Sequence, residues 1–229
     1  MKFSAVIFDL FGTLVDDFVS SVGPLPLELV AALEVPRDPF LQAWRETSQM
    51  RTDGTFQTVE ASIQYVCDAI GAPVSAAQMA KGVQTRIEQI RRALQPKPDA
   101  VATLKQLKVI GYKIGLLSNC SIEIPLLWPS TAFAPLVDAA VFSSRERLKK
   151  PDPRIYHLVC DRLGVAPESV LYVADGENYE LTTAAEIGLR PVLIQNPKSQ
   201  SRRHLFAEAQ AWHGEIVCEL REVLKILGA

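Results

Sequence analysis

Apolar residues recur along this chain with two different periods, and the change of period divides the sequence. Residues 5–8 (Ala-Val-Ile-Phe) form a continuous apolar run, which is typical of a short strand buried on both faces of a parallel sheet. Between residues 16 and 96 the apolar positions instead follow a helical period. The clearest stripe consists of Val59, Ile63, Val66 and Ile70. We therefore predict four helices and no strand over residues 16–96.

Local signals indicate where these four helices begin and end. The first two are predicted over residues 25–33, with prolines at the start, and over residues 39–50. The third covers residues 59–70 and is closed by a glycine. The fourth begins after Ser75, which has the spacing of a capping box with Gln78. Prolines at positions 96 and 98 forbid helix there, so we expect a hinge at that point.

Beyond the hinge, short apolar runs alternate with helical stripes, which indicates βαβ units and a parallel sheet. Strands are predicted over residues 112–117, 139–142, 170–174 and 191–194, and helices over residues 99–109, 152–163, 181–187 and 216–227. The predicted fold class is α/β, a doubly wound Rossmann-like core of residues 1–15 and 97–229 with an all-α four-helix cap at residues 16–96. Because the insertion leaves and returns beside Asp9, we expect it to close over that residue as a lid.

The amino-acid composition indicates which classes of binding partner are unsuited to this chain. The chain has 24 basic and 26 acidic residues, a net charge of −2 and no block of like charge, which argues against nucleic acid and anionic membranes. No segment reaches the roughly 18 apolar residues of a membrane span, and the N-terminus lacks a signal-peptide pattern. Four scattered cysteines without a CxxC pair are typical of free thiols in a reducing cytoplasm, so a cytoplasmic location is predicted.

Polar residues follow three of the predicted strands at the point where each strand ends. They are Asp9, the pair Ser118-Asn119, and Asp175, while Lys150 lies in a loop just before a helix. Each alone has an ordinary structural explanation, such as a helix cap, a turn or a solvated lysine. Ligands of open α/β sheets bind outside the carboxyl ends of the strands, so the four together predict one site.

These residues belong to four motifs that, in this order, resemble the haloacid dehalogenase (HAD) superfamily of hydrolases. The resemblance spans the predicted core, and the helical insertion between the first two motifs is similar to the helical cap of that family. The motifs are Asp9-Leu10-Phe11-Gly12-Thr13-Leu14-Val15, Leu116-Leu117-Ser118-Asn119, Lys150-Pro151-Asp152-Pro153-Arg154-Ile155-Tyr156, and Tyr172-Val173-Ala174-Asp175-Gly176 followed by Glu180-Leu181.

The resemblance implies a role for each residue. Asp9 would be the nucleophile that forms a covalent aspartyl intermediate. Mg²⁺ would be held by Asp9, by the backbone carbonyl of Phe11 and by Asp175, an oxygen set that suits this ion. Ser118 and Lys150 would bind the transferring group and complete the catalytic set. Thr13 and Asn119 would help to orient a small anionic substrate.

Two positions depart from the phosphatases of that superfamily. Phe11 stands where those enzymes carry a second aspartate as general acid/base, and a phenyl ring cannot move a proton. Tyr179 stands where the fourth motif often has a second acid, although Glu177 and Glu180 are close by in sequence and either is a candidate replacement. We predict a Mg²⁺-dependent phosphatase for a small phosphorylated metabolite.

Two alternatives remain open. In one, Asp9 attacks carbon without a metal, as in the 2-haloacid dehalogenases, where the position of Phe11 is also not acidic; Asp175 argues for a metal instead. In the other, the domain is degenerate and does not catalyse a reaction. Cationic residues of the insertion are candidates for contact with an anionic substrate, although a solvated surface position is the ordinary expectation; they are Lys81, Arg37, Arg45, Arg51, Arg86, Arg91 and Arg92.

Overall fold

The computed structural model describes residues 3–16, 26–195 and 206–228, and its centre is one parallel sheet. The six strands are β1 (Ala5–Phe8), β2 (Lys113–Ser118), β3 (Ala139–Phe142), β4 (Val170–Ala174), β5 (Arg190–Ile194) and β6 (Glu215–Val217). Their order is β3-β2-β1-β4-β5-β6, so β1 lies between β2 and β4. The predicted α/β class and parallel sheet are confirmed.

Helices cover both faces of this sheet. In chain order after β1 they are α1 (Leu27–Leu33), α2 (Arg37–Glu46), α3 (Ser48–Thr52), α4 (Val59–Ala69), α5 (Ala76–Ala93), α6 (Ala100–Ile110), α7 (Glu123–Leu127), α8 (Ser143–Glu146), α9 (Pro153–Leu163), α10 (Glu180–Glu186), α11 (Ala207–Ala211) and α12 (Glu222–Ile226). Side chains of β1 alternate between two cores: Val6 and Phe8 pack in one, Ala5 and Ile7 in the other. All four are fully buried, as the apolar run predicts.

The helical segment α1–α5 has a core of its own, which includes Leu29, Leu33 and Ile63. Close packing of α1 on α5 requires Gly82, because an added Cβ would lie 2.5 Å from a methyl carbon of Leu33. Ser75 caps α5 with the predicted capping box.

Five helices, not the predicted four, form this segment within the described residues. The predicted helix over residues 39–50 is divided at Thr47, whose hydroxyl donates to the carbonyl of Ala43 at 2.8 Å. The backbone of Thr47 has φ −88° and ψ 7°, so α2 ends before it and α3 begins after it.

The prediction for the C-terminal tail was also wrong. Residues 216–227 were expected to be one amphipathic helix, but Glu215–Val217 pairs with β5 as a parallel edge strand. The helix α12 starts only at Glu222, whose carboxylate accepts hydrogen bonds from the amides of Cys218 (2.7 Å) and Glu219 (3.3 Å). The other predicted strands and helices are found within one or two residues of their expected bounds.

The two ends of the helical segment meet beside β1. Val15 forms an antiparallel bridge with Pro96, and the amide of Lys97 donates to the carbonyl of Leu14 at 2.9 Å. We infer that the insertion is joined to the sheet at this pair, in line with the predicted domain division.

None of the described helices is both long and apolar enough to cross a bilayer. All four cysteines are free; Cys67, Cys120 and Cys160 are buried and Cys218 is exposed.

Candidate active site

Asp9 follows the last residue of the central strand, and the residue is 6% exposed. Its amide still pairs with β4, donating to the carbonyl of Val173 at 3.0 Å. The chain then turns sharply: Gly12 adopts φ 83°, which favours glycine, and the amide of Leu14 donates to the carbonyl of Leu10 at 2.9 Å. This geometry presents the Asp9 carboxylate at the carboxyl edge of the sheet.

Lys150 connects Asp9 to a second buried carboxylate. Its Nζ lies 2.6 Å from Oδ1 of Asp9 and 2.5 Å from Oε2 of Glu180. The backbone of Lys150 is fixed by the Asn119 amide, which donates to the Lys150 carbonyl (3.0 Å) and accepts from the Lys150 amide (2.9 Å). These two bonds favour a positioning role for Asn119, although its side chain also borders the cavity.

The Glu180 carboxylate is surrounded by hydrogen-bond donors. Oε2 accepts from Lys150 and from the hydroxyl of Tyr172 (2.7 Å), and Oε1 accepts from the amides of Gly176 and Glu177 (3.2 Å each). The hydroxyl of Tyr156 donates to the backbone carbonyl of Glu180 at 3.1 Å. Four donors therefore converge on the carboxylate, which fixes it beside the Lys150 ammonium.

Burial and charge act in opposite directions on this network. Burial by itself lowers the pKa of Lys150, but the carboxylates of Asp9 and Glu180 raise it above its ordinary value, so Lys150 is cationic. Burial raises the pKa of Glu180. Burial also raises the pKa values of Tyr156 and Tyr172, so both tyrosine hydroxyls remain protonated and act as donors.

Three carboxylates at this edge are close enough to share a metal ion. One oxygen from each of Asp9, Asp175 and Glu180 lies within 4.8 Å of the others, and all three residues are buried. Oδ2 of Asp9 has no hydrogen-bond partner among the described residues, so it is the oxygen available to a ligand. Phe11, whose backbone carbonyl is the further predicted metal ligand, lines the cavity into which this site opens. The donor set therefore fits Mg²⁺.

Two buried hydroxyls predicted to bind substrate are also available. Within the described part of the chain, Oγ1 of Thr13 and Oγ of Ser118 have no partner of good hydrogen-bond geometry, and both residues are fully buried. Buried hydroxyls are ordinarily satisfied, so both atoms are candidates for contact with a polar ligand, although neither residue is among those that line the cavity.

The site opens into a cavity of about 260 Å³ beneath the helical segment. Residues of the sheet edge form one side and residues of α3 and α5 form the other. Its lining comprises Asp9, Phe11, Ser48, Arg51, Thr52, Arg86, Ile90, Asn119, Cys120, Ser121, Ile124, Lys150, Glu177 and Asn178. The hydroxyl of Ser143 accepts from the Cys120 amide (2.9 Å) and donates to the Thr52 carbonyl (2.6 Å), which ties the two sides together.

Several candidate residues lie away from this cavity. Lys81 is exposed on α5, and Tyr179 is 59% exposed with φ 58°. His157 and His213 are exposed, and His204 lies outside the described residues. Sequence reasoning missed Tyr156 and Tyr172, although both stand within the quoted motifs; the alternation of β4 would have directed Tyr172 and Ala174 to the same face.

A buried Asp–Lys–Glu network at the carboxyl edge of a Rossmann-like parallel sheet is the arrangement that the HAD-like motifs imply. The chain belongs to the haloacid dehalogenase-like hydrolase family, whose profile matches residues 3–188. It is therefore a hydrolase, and the predicted family is confirmed.

Relatives of this chain include both dehalogenases and phosphatases. It is 34% identical to (S)-2-haloacid dehalogenase 4A of Burkholderia cepacia over 115 residues, which is about half of each chain (50% and 49%). It is 27% identical to a phosphatase of Mycobacterium tuberculosis over 85% of this chain and 88% of that protein. Among solved structures, an L-2-haloacid dehalogenase superposes with a TM-score of 0.66 at 26% identity over 99% of both chains.

Proposed function

We propose that this protein is a Mg²⁺-dependent phosphatase that hydrolyses a small phosphorylated metabolite through an aspartyl-phosphate on Asp9. One observation carries the proposal: one oxygen from each of the buried carboxylates of Asp9, Asp175 and Glu180 lies within 4.8 Å of the others. Carboxylate oxygens gathered at this spacing suit a hard divalent cation, and a bound cation lowers the cost of burying like charges together. The free thiols agree with a reducing cytoplasm.

Asp9 and Asp175 are the side chains that would hold Mg²⁺, together with the backbone carbonyl of Phe11. Glu180 is close to them, but its oxygens already accept four hydrogen bonds, so we assign it to the positioning of Lys150. When bound, the ion would neutralise negative charge on the phosphoryl oxygens.

The protein's own residues then carry the reaction. Oδ2 of Asp9 attacks phosphorus, the bond from phosphorus to the ester oxygen breaks, and that oxygen leaves as an anion that takes its proton from water. Lys150 and the hydroxyls of Ser118 and Thr13 bind the phosphoryl oxygens during the transfer. Water then hydrolyses the acyl phosphate, which releases phosphate and restores Asp9.

The second candidate is a metal-independent 2-haloacid dehalogenase, in which Asp9 would displace halide from carbon. Phe11 favours it, because this reaction needs no proton donor for the leaving group at that position. The dehalogenases among the relatives add to its weight. Asp175 argues against it, since it adds a second buried carboxylate beside the nucleophile.

One experiment separates the candidates. Purified protein is incubated with phosphate monoesters and with 2-haloacids, in Mg²⁺ and in EDTA, and released phosphate and halide are measured. We expect phosphate release that requires Mg²⁺ and is abolished in Asp9→Asn. Halide release that survives EDTA would replace the phosphatase with the dehalogenase. No turnover of either class, with intact Mg²⁺ binding, would indicate the degenerate domain.

A further inference from the structure

Two buried arginines of the helical segment line the same cavity as Asp9 and Lys150. Arg51 of α3 is 9% exposed and Arg86 of α5 is 4% exposed. Arginine is rarely buried without a compensating anion, because removing its charge from water is costly. The sequence alone does not distinguish these two arginines from the others of the insertion.

The aromatic ring of Trp44 contacts both guanidinium groups. Cζ of Arg51 lies 4.0 Å from the ring centroid, and Cζ of Arg86 lies 5.2 Å from it. Such contacts stabilise a cation at an aromatic face. Burial and the charge of Arg86 lower the pKa of Arg51 to about 10, although the Glu123 carboxylate acts in the opposite direction, so Arg51 remains cationic at neutral pH.

The two arginines differ in how their charges are met. Nε of Arg86 lies 2.6 Å from the buried carboxylate of Glu123. Within the described part of the chain, the donors of Arg51 meet neutral oxygens, the carbonyl of Trp44 (2.7 Å) and the hydroxyl of Thr47 (2.8 Å). Among the described residues, no carboxylate lies within ion-pair distance of Arg51. Its planar fork has further N–H groups that suit a carboxylate or phosphate oxygen.

We propose that Arg51 and Arg86 form a second anion-binding subsite, which takes the carboxylate of a substrate whose phosphoryl group lies against Asp9. This inference rests on the proposed phosphatase function and extends it by naming the substrate class, a small phosphate monoester that carries a carboxylate. Phe11, Ile90 and Ile124 supply apolar lining suited to a short carbon linker. A cavity of about 260 Å³ limits that linker to a few atoms.

The test compares ligands that differ only by the carboxylate. Phosphonoacetate and ethylphosphonate both lack a hydrolysable ester, so their binding in Mg²⁺ is independent of turnover. Tryptophan fluorescence reports the binding, and a Trp44→Phe variant identifies the part of the signal that arises beside Arg51. We expect wild-type protein to bind phosphonoacetate about 10- to 100-fold more tightly, the range of one or two charge-assisted hydrogen bonds.

Arg51→Met should abolish this preference and leave ethylphosphonate affinity within about threefold. Arg91→Met is the matched control, because Arg91 is an exposed arginine of the same helical segment, and it should keep the preference. Arg51→Lys retains the positive charge without the planar guanidinium, so it should lose part of the preference for phosphonoacetate. This variant provides the comparison if Arg51→Met does not fold. Equal losses for both ligands, or no preference in the wild-type protein, would overturn the subsite.

Hydrolysis gives a second and separable readout. With phosphoglycolate and ethyl phosphate as substrates, Arg51→Met should lower kcat/KM about 10- to 100-fold for the first and leave the second nearly unchanged. If neither ester is hydrolysed but phosphonoacetate is still preferred, the phosphatase proposal fails while the anion subsite stands. If both esters are hydrolysed equally well by wild type, the subsite fails while the phosphatase proposal stands.

Discussion

Phe11 occupies the turn after the nucleophile strand, two residues beyond Asp9, and borders the cavity. A phenyl ring cannot protonate a departing alkoxide, so we expect the protein to prefer phosphate esters with good leaving groups, such as aryl esters. An acidic side chain at position 11 should allow esters with poor leaving groups to be hydrolysed as well. Phe11→Asp is predicted to raise turnover of alkyl phosphates by about 10-fold or more, since general acid catalysis contributes roughly 10²–10⁴-fold.

Phe11→Asn is the control for this prediction, because it has nearly the same shape as the aspartate variant and no exchangeable acid. It should show no gain on alkyl phosphates. Steady-state kinetics on a series of esters with graded leaving groups measures the effect. Equal rates for Phe11→Asp and Phe11→Asn would contradict the assignment of a missing proton donor.

The four thiols differ in their expected reactivity. Burial raises the pKa of Cys120 to about 12 and the pKa of Cys160 to about 11, and it also raises the pKa of Cys67. Because the thiolate is the reactive form, these three should be inert at pH 8, whereas exposed Cys218 should react. A thiol reagent should titrate one group in the native protein and four in denaturant, and Cys218→Ser should remove the native signal.

The sequence predicts those residues of the site that lie at the ends of strands. Asp9, Ser118 and Asp175 follow buried apolar runs, and the parallel sheet brings their positions to one edge. The sequence left open whether Glu177 or Glu180 replaces the acid that is absent at Tyr179. The answer depends on the backbone turn at residues 178–179, where both residues have a positive φ. The network of Tyr156 and Tyr172 depends on side-chain packing, which no local pattern specifies.

At the level of elements, Ser143 connects the start of α8 to the loop after β2 and to the end of α3. Its hydroxyl accepts from the Cys120 amide after β2 and donates to the last residue of α3, Thr52. Ser143→Ala removes both bonds and leaves a buried amide without this acceptor. We expect a loss of about 1–3 kcal/mol in the free energy of unfolding.

Ser144→Ala is the matched control, since Ser144 is equally buried and its hydroxyl has no partner of good geometry among the described residues. It should change stability by less than about 0.5 kcal/mol. Urea unfolding of the two variants measures the difference. Similar midpoints for both would show that the Ser143 bonds contribute nothing to stability.

Elements with a strong apolar period were predicted well, and those without one were not. The central strand and the stripe of α4 were found where expected, since burial on one or both sides dictates their pattern. The edge strand β6 was missed because Ile216 is half exposed. Its three residues therefore do not show the alternation of buried and exposed side chains that indicates a strand. The break between α2 and α3 depends on one threonine side chain that bonds to the backbone.

At the scale of the whole molecule, the ion pair of Arg86 and Glu123 crosses from the helical segment to the sheet side of the cavity. Both side chains are at least 95% buried, and removing one partner of such a pair typically costs about 3–5 kcal/mol. Glu123→Gln should therefore destabilise the protein strongly. Glu88→Gln, which removes the exposed partner of Arg91, should change stability by about 0.5 kcal/mol or less.

The same pair predicts how stability depends on acid. Burial by itself raises the pKa of Glu123, but Arg86 lowers it below its ordinary value. A carboxyl group with a lowered pKa in the folded state stabilises the protein above its unfolded pKa, about 4.3, and this contribution is lost as pH falls through the folded value. Thermal unfolding should show a loss of stability below about pH 4 in wild type that is reduced in Glu123→Gln.

The insertion between β1 and β2 also has a consequence for the order of folding. The central strand, Ala5–Phe8, pairs with strands that begin at Lys113 and Val170, so its neighbours emerge late during synthesis. Contacts within α1–α5 are local and form quickly, whereas closing these long loops is slow. The nascent chain therefore carries an apolar strand with two unpaired edges until β2 has been made, and with one until β4 has been made, which makes this segment a target for a chaperone.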